Sequence, residues 1–335
     1  MKNIFKNKTI LVTGGCGSIG SQIVKQLLQY NPKAIRVFEH SEAAHFKLNQ
    51  EVKSSKIRNF VGDICDKERL HQAIEGVHIV FHAAAMKHVP LCEYNPFEAI
   101  RTNILGTQNL VDVAREHGIE RFVSISTDKA VNPTSTMGAT KLLGEKIVAN
   151  AAISEKKVKF CCVRFGNVLA SSGSVIPVFE KQIKDGNTIT VTSKDMTRFF
   201  MGVDDAVKLV LKASQLAHQG EIFILKMNAL KIIELAEVLV EELAPRYKKD
   251  PKKIKYKTIG LRPGEKLHEP LITEEESRYM TEDKDMFILH NPSLIGYGAN
   301  IPSDEKMETI NYNSKEMSHL SKKEIRKMLL DKKIL

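Results

Sequence analysis

The sequence predicts an α/β fold, a doubly wound parallel sheet followed by a smaller, mixed C-terminal lobe. Three observations lead there. Short apolar runs alternate with amphipathic helical stretches through residues 1–165, and such alternation implies parallel strands with helices on both faces. A glycine-rich turn joins the first apolar run to the first helical stretch. Beyond Phe165 the alternation loosens into a segment, 166–200, rich in Gly, Ser, Thr and Pro, which reads as loops and short strands.

The elements follow in order. Strands are expected at 8–13, 34–38, 57–61, 78–83, 121–126 and 158–165, each a short run of mainly apolar residues. Helices are expected at 21–30, stopped by Asn31-Pro32, and at 42–53, 67–75 and 103–117. A long helix begins at Met137, and further helices are expected at 203–216, 232–243 and 322–330. The domain reading places a first domain at 1–165, a second lobe at 166–295 and a tail with a helix at 296–335. The 200–222 helical segment is expected to pack back on the first domain.

Composition narrows the function classes. The chain has 335 residues, 42% hydrophobic and 27% charged, as an ordinary globular protein does. No stretch approaches about 18 uninterrupted apolar residues, so no membrane span is expected. The polar start suits no signal peptide. Five cysteines without zinc spacing read as reduced thiols in a cytoplasmic protein. His82 and His88 lack partnering ligands, so no metal is expected. Much of the net charge of +10 lies in 247–257, which reads as a solvated loop between a helix and a strand. No nucleic-acid motif accompanies it, and a basic chain suits a small anionic substrate.

The turn Thr13-Gly14-Gly15-Cys16-Gly17-Ser18-Ile19-Gly20 follows a strand and opens a helix. Gly14, Gly17 and Gly20 have the spacing that lets a pyrophosphate approach backbone at a helix N-terminus, with Ser18 and Ile19 between them. This is the Rossmann-type dinucleotide signature. Glu39 ends the second strand, where a carboxylate accepts from the adenosine ribose and repels a 2′-phosphate. His40 and Ser41 follow with no arginine, so NAD is favoured over NADP. Asp63 and Ile64 close the third strand near the adenine, and Ala83, Ala84 and Ala85 leave room for the cofactor after the fourth.

Ser126-Thr127-Asp128-Lys129 ends the fifth strand, where ligands of such sheets bind. Eight residues on from Lys129, Met137-x-x-x-Lys141 opens a helix. An acid and an amine side by side at a sheet's rim suggest proton transfer, and Lys141 is expected to hold the nicotinamide ribose. Met137 is a thioether, which cannot accept a proton from an alcohol. It reads as a space-filler.

With these segments on view, the chain resembles the extended short-chain dehydrogenase/reductase superfamily, and within it the UDP-N-acetylglucosamine 4,6-dehydratases. The segments include Ala83-Ala84-Ala85-Met86-Lys87-His88-Val89-Pro90, Thr102-Asn103-Ile104-Leu105-Gly106-Thr107 and Ser126-Thr127-Asp128-Lys129-Ala130. They continue through Met137-Gly138-Ala139-Thr140-Lys141, Arg164-Phe165-Gly166-Asn167-Val168-Leu169, Met196-Thr197-Arg198-Phe199-Phe200 and Arg262-Pro263-Gly264-Glu265-Lys266-Leu267-His268-Glu269. In most of the superfamily a tyrosine stands where Met137 stands here; the methionine, with Glu39-His40-Ser41-Glu42, is closest to the polysaccharide-biosynthesis branch. Some members of that branch carry an N-terminal membrane region, which is not expected here.

The resemblance implies oxidation at sugar C4, loss of the C5 hydrogen with the C6 hydroxyl as water, and return of hydride to C6. It implies Lys129 as the C5 base and Asp128 as the acid. Both roles run against ordinary pKa values of about 10.4 and 3.9, and burial is expected to lower the one and raise the other. Thr127, a water or Asp128 could accept the O4 proton, and Asp128 is favoured. Asn167, Arg198 and Arg262 are expected at the substrate diphosphate, Val175 against the uridine, and Lys87 and Asn103 bordering the sugar or the catalytic loop, with His88 and Glu265 also among the substrate residues. The expected partners are a UDP-N-acetylhexosamine and further copies of the chain. A C4 epimerase or reductase on the same fold, which would need the missing tyrosine, and a cofactor-sensing regulator without turnover are the competing readings.

Overall fold

The computed structural model describes residues 3–154, 157–169, 171, 173–291 and 311–335. The first half builds β1 (Thr9–Thr13), α1 (Ser18–Leu27), β2 (Ala34–Glu39), α2 (Glu42–Glu51), β3 (Ile57–Val61), α3 (Lys67–Ile74) and β4 (Ile79–His82). Two short helices, α4 (Val89–Tyr94) and α5 (Pro96–Ile100), run through a π turn, Arg101–Leu105, into α6 (Gly106–Glu116). Then come β5 (Arg121–Ile125), α7 (Thr136–Ser154) and β6 (Lys159–Arg164). These six strands pair in parallel in the order β3-β2-β1-β4-β5-β6. β1 and β4 are neighbours although their chain connections leave in opposite directions, so the turns after them flank the crevice where such sheets take ligands.

The central strands are present because their apolar residues are buried by helices on both faces; β1 and β4 are buried along their whole length, while the edge strand β3 is only partly covered. Helix α1 starts at Ser18, directly off the glycine turn, three residues earlier than its apolar periodicity indicates.

The second half adds β7 (Asn167–Val168), α8 (Val175–Asp185), β8 (Thr188–Val191), β9 (Thr197–Met201), α9 (Val203–Leu216), β10 (Glu221–Leu225), β11 (Asn228–Lys231) and α10 (Ile232–Arg246). It continues with β12 (Lys255–Thr258), α11 (Glu274–Ser277), β13 (Met280–Glu282), β14 (Met286–Leu289) and α12 (Lys322–Asp331). β10 joins the large sheet parallel to β6, and β14 and β13 follow antiparallel, which makes nine strands. Two small sheets, β11-β9-β7 and β12-β8, complete the structure.

Two expectations need correction. The segment 166–200 is not all loop: Ile176, Phe179 and Ile183 recur on one face of α8 and are buried. Pro177 sits in the helix's first turn, where no N–H is required. Nor does the second lobe take up the rest of 166–295. α9, the segment expected to pack back on the first domain, buries Ala206, Val207, Val210 and Leu211 in the main core, but β10, β13 and β14 also extend the main sheet. The second core gathers α8, β8, α10 and α12, through residues such as Phe179, Ile189, Leu239 and Leu329. Strand β9 links the two cores, Phe199 lying in the first and Phe200 in the second, as strand alternation requires. Residues 296–310 of the expected tail lie outside the described residues.

Candidate active site

The glycine turn has no room for side chains. A Cβ on Gly14 (φ +62°) would lie 2.6 Å from the Ala84 nitrogen, and one on Gly20 would lie 2.1 Å from the Gly14 oxygen. Gly17 precedes α1 with no side-chain cap, and no acidic residue occupies the first turn, so these backbone donors suit an anion. At the end of β2, Glu39 Oε1 accepts from the His40 and Ser41 backbone N–H groups at 3.0 and 3.4 Å, and His40 Nδ1 lies 2.8 Å from it. Ser41 caps α2 through Ala44 N–H. Asp63 is exposed and accepts from Cys65 N–H at 2.8 Å, while Ile64 is buried under Gly106.

Across the crevice, β5 ends in a short turn, 128–130. Gly138 lets α7 rest on it, since a Cβ there would lie 2.3 Å from the Lys129 carbonyl oxygen. Asp128 is fully buried. Its Oδ1 accepts from Thr127 Oγ1 at 2.8 Å and from Lys129 Nζ at 2.9 Å. Its Oδ2 is buried without a hydrogen-bond partner among the described residues, beside Gly166, where a Cβ would lie 3.2 Å away. Lys141 donates to the Ile125 carbonyl at 2.6 Å, and burial holds its ammonium below the usual lysine range. Met137 is buried in a small apolar cluster with Cys92 and Ala99.

The sequence reading missed Glu269. It is 2% exposed, with Oε1 3.8 Å from both Lys129 Nζ and Arg198 Nε, and Oε2 3.8 Å from Lys266 Nζ. Oε2 has no hydrogen-bond partner among the described residues. Burial pushes its carboxyl above the usual range against the pull of Lys129. Its presence corrects the expectation for Lys129. Burial does oppose that ammonium, but Asp128 and Glu269 together outweigh burial and raise its pKa. The two carboxyl groups thus hold Lys129 as a cation.

Two expected substrate residues are engaged inside the protein. Arg198 is buried and donates to the carbonyls of Thr197, Leu267 and Lys266 at 2.7, 3.0 and 2.7 Å, so it anchors the 265–269 turn instead of presenting a fork to a diphosphate. Asn103 is buried in the π turn; its amide accepts from Met86 N–H at 2.8 Å and donates to Met86 O and Thr140 Oγ1 at 3.0 and 2.9 Å. It ties the loop after β4 to α7. Glu265 closes the same turn as Arg198, accepting from Arg262 N–H at 3.2 Å. Arg262, Lys87 and His88 are exposed, the His88 ring lying against Gly173. Asn167 opens β7 and Val175 opens α8, packed against the second core.

Beneath the glycine turn, Thr13 Oγ1, His82 and Thr107 Oγ1 form a buried chain at 2.8 and 2.9 Å, continued to the Asn103 carbonyl at 2.8 Å. Burial, aided by Lys141, lowers the His82 pKa to about 3, so the ring is neutral. No helix among the described residues is long and apolar enough to cross a membrane.

The chain is similar to several known proteins. An uncharacterized membrane protein of Methanocaldococcus jannaschii is 54% identical over 98% of this chain and 97% of its own. The inverting UDP-N-acetylglucosamine 4,6-dehydratase of Campylobacter jejuni is 42% identical over 87% of this chain and 85% of its own. A protein called UDP-glucose 4-epimerase in Rickettsia bellii is 37% identical over 98% of this chain and 97% of its own. The solved structure of Pen from Bacillus thuringiensis superposes with a TM-score of 0.92 at 42% identity, covering 99% of both chains. The family described as polysaccharide biosynthesis protein matches residues 10–291, and the chain belongs to that family, within the extended short-chain dehydrogenase/reductase enzymes.

Proposed function

We propose that the protein is a nucleotide-sugar 4,6-dehydratase that converts UDP-N-acetylglucosamine to its 4-keto-6-deoxy product with NAD. The observation that carries this is the buried Asp128 hydrogen-bonded to Lys129 at the end of β5, with Met137 packed away where an acid–base tyrosine would stand. A C4 epimerase needs acid–base chemistry at O4 but has no use for a second acid–amine pair. The dehydratase needs both members to strip water across C5 and C6.

The glycine turn, Glu39 and Lys141 would hold the cofactor, which when bound supplies the hydride acceptor and donor. Glu39 brings a carboxylate to the end of β2 and so favours NAD over NADP. Asp128 Oδ2, unpaired and enclosed, is suited to take the O4 proton and pass it to the departing O6 hydroxyl. Thr127 holds the other carboxylate oxygen in place. Lys129, once free of its proton, removes the C5 hydrogen. The exposed Arg262 is the remaining cation of the expected diphosphate set.

Incubation with UDP-N-acetylglucosamine and NAD in heavy water, followed by NMR, tests the reading. A 4-keto-6-deoxy sugar carrying solvent deuterium at C5, with no net reduction of nicotinamide, is expected. A C4 epimer without C5 exchange would replace the reading with an epimerase, and no turnover of the sugar would leave a regulator. Asp128→Asn separates the proton routes: full C4 oxidation with lost elimination would rule out Asp128 as carrier of the O4 proton.

A further inference from the structure

We propose that Glu269 is a positioning residue that sets the charge on the Lys129 amine, so that Lys129 becomes a base when Glu269 carries a proton. This rests on the dehydratase reading for its meaning, though not for its test. The amine has two carboxyl neighbours, Asp128 at 2.9 Å and Glu269 at 3.8 Å. With both ionised, Lys129 keeps its proton. Once Glu269 is neutral, Lys129 faces one carboxylate, while Arg198 and Lys266 and the loss of solvent all favour the free amine.

The surroundings of Glu269 suit such a change. From β9, Arg198 Nε lies 3.8 Å from Oε1; from the preceding turn, Lys266 Nζ lies 3.8 Å from Oε2, itself drawn to the Val131 carbonyl at 2.6 Å. Glu265 lies 3.9 Å from Arg198 and shares its charge. His268 is bonded to Thr197 Oγ1 at 2.8 Å, and the neighbouring 313–319 segment brings Lys315 and His319 toward His268. Ser314 fixes the Glu269 backbone through two bonds, at 2.9 and 3.0 Å, which leaves the carboxyl as the variable group. A buried carboxylate with cations near it but no hydrogen bond on Oε2 is only weakly held in its ionised form. Burial raises its pKa accordingly.

The test follows Lys129 directly, in protein labelled with ¹³C at lysine Cε, its resonance assigned by loss in Lys129→Arg. In Glu269→Gln the Lys129 pKa should fall by about one unit or more. The acid limb of the turnover profile should move to lower pH with it, and Glu269→Asp should keep the wild-type limb. Equal Lys129 titrations in wild type and Glu269→Gln, or a slower variant with an unmoved limb, would overturn the proposal and leave a packing role. Should Glu269→Gln fail to fold, the wild-type curve decides. A second, lower-pH step in the Lys129 resonance supports the coupling, and a single step refutes it. The resonance is read without substrate, so failure to dehydrate the sugar would sink the dehydratase reading alone.

Discussion

Two clusters of buried charge sit in this molecule, and they are built to opposite ends. Around Arg164 every charge is matched. Its Nε and Nη2 donate to the Glu145 carboxylate at 3.1 and 2.7 Å, Nη1 and Nη2 to Glu276 at 2.9 Å each, and Nη1 also to the Leu271 carbonyl at 3.0 Å. The guanidinium is held more firmly protonated than usual and Glu276 more firmly ionised, both against burial. Around Lys129 the contact to Asp128 is as short, 2.9 Å, but that to Glu269 is 3.8 Å, and one oxygen each of Asp128 and Glu269 lacks a hydrogen-bond partner among the described residues. The first cluster locks α7, β6 and α11 together. On the proposed function the second leaves protons that can move, and chemistry requires such looseness at a cost in stability.

Removing each central cation should therefore break different things. Lys129→Met should cost about 10²–10⁴ in turnover. Its loss of stability should be the smaller of the two, because Glu269 already leans toward its neutral form. Arg164→Met should cost about 3–5 kcal/mol of stability, since it strands the buried Glu145 carboxylate and takes the partner from the half-buried Glu276. Urea unfolding and turnover on the same samples check both. If Arg164→Met were as stable as wild type, the matched cluster would not be the lock its geometry describes.

Acid should sharpen the contrast through His82, which is saturated with hydrogen bonds but carries no charge. Its folded pKa is about 3, against about 6.5 in an unfolded chain. Below about pH 6.5 the unfolded chain takes up a proton that the folded ring refuses until about pH 3, so stability falls as pH falls through that window. The slope contributed is at most about 1.4 kcal/mol per pH unit, and above pH 6.5 it vanishes. His82→Asn should be less stable than wild type at pH 7.5 and lose less on going to pH 5. Parallel losses would assign the acid sensitivity elsewhere.

The same contrast explains what could be read from the sequence. The six leading strands were legible because each is a local apolar run, and the glycine turn because its spacing is local too. Asp128 and Lys129 were legible as neighbours in the chain. Glu269 was not, because the fold brings it to Lys129 from 140 positions away, and with Asp128 it reverses the expected direction of the Lys129 shift. Arg198 was misjudged for a related reason. An arginine suits a diphosphate until the carbonyls of residues 266 and 267 fold over it. Glu221–Leu225 offered a usable signal, five apolar-rich residues buried end to end, yet only its pairing with β6 shows that the main sheet continues there.

Met137 gives the smallest expected effect and the finest test of the comparison. It lies 3% exposed among Cys92, Ala99 and the half-buried Met86 and Val89, in neither charged cluster. A thioether has no proton to give and accepts one poorly, so its contribution should be its volume. Met137→Leu should then cost less than about 1.5 kcal/mol of stability and less than about tenfold in turnover, which corresponds to about 1.4 kcal/mol of barrier. A fall of 10² or more with stability intact would mean that the sulfur touches the reacting sugar or the nicotinamide. The proton traffic assigned to Asp128 and Lys129 would then need a third participant, and the division between a rigid, matched cluster and a loose, reactive one would have to be redrawn to include it.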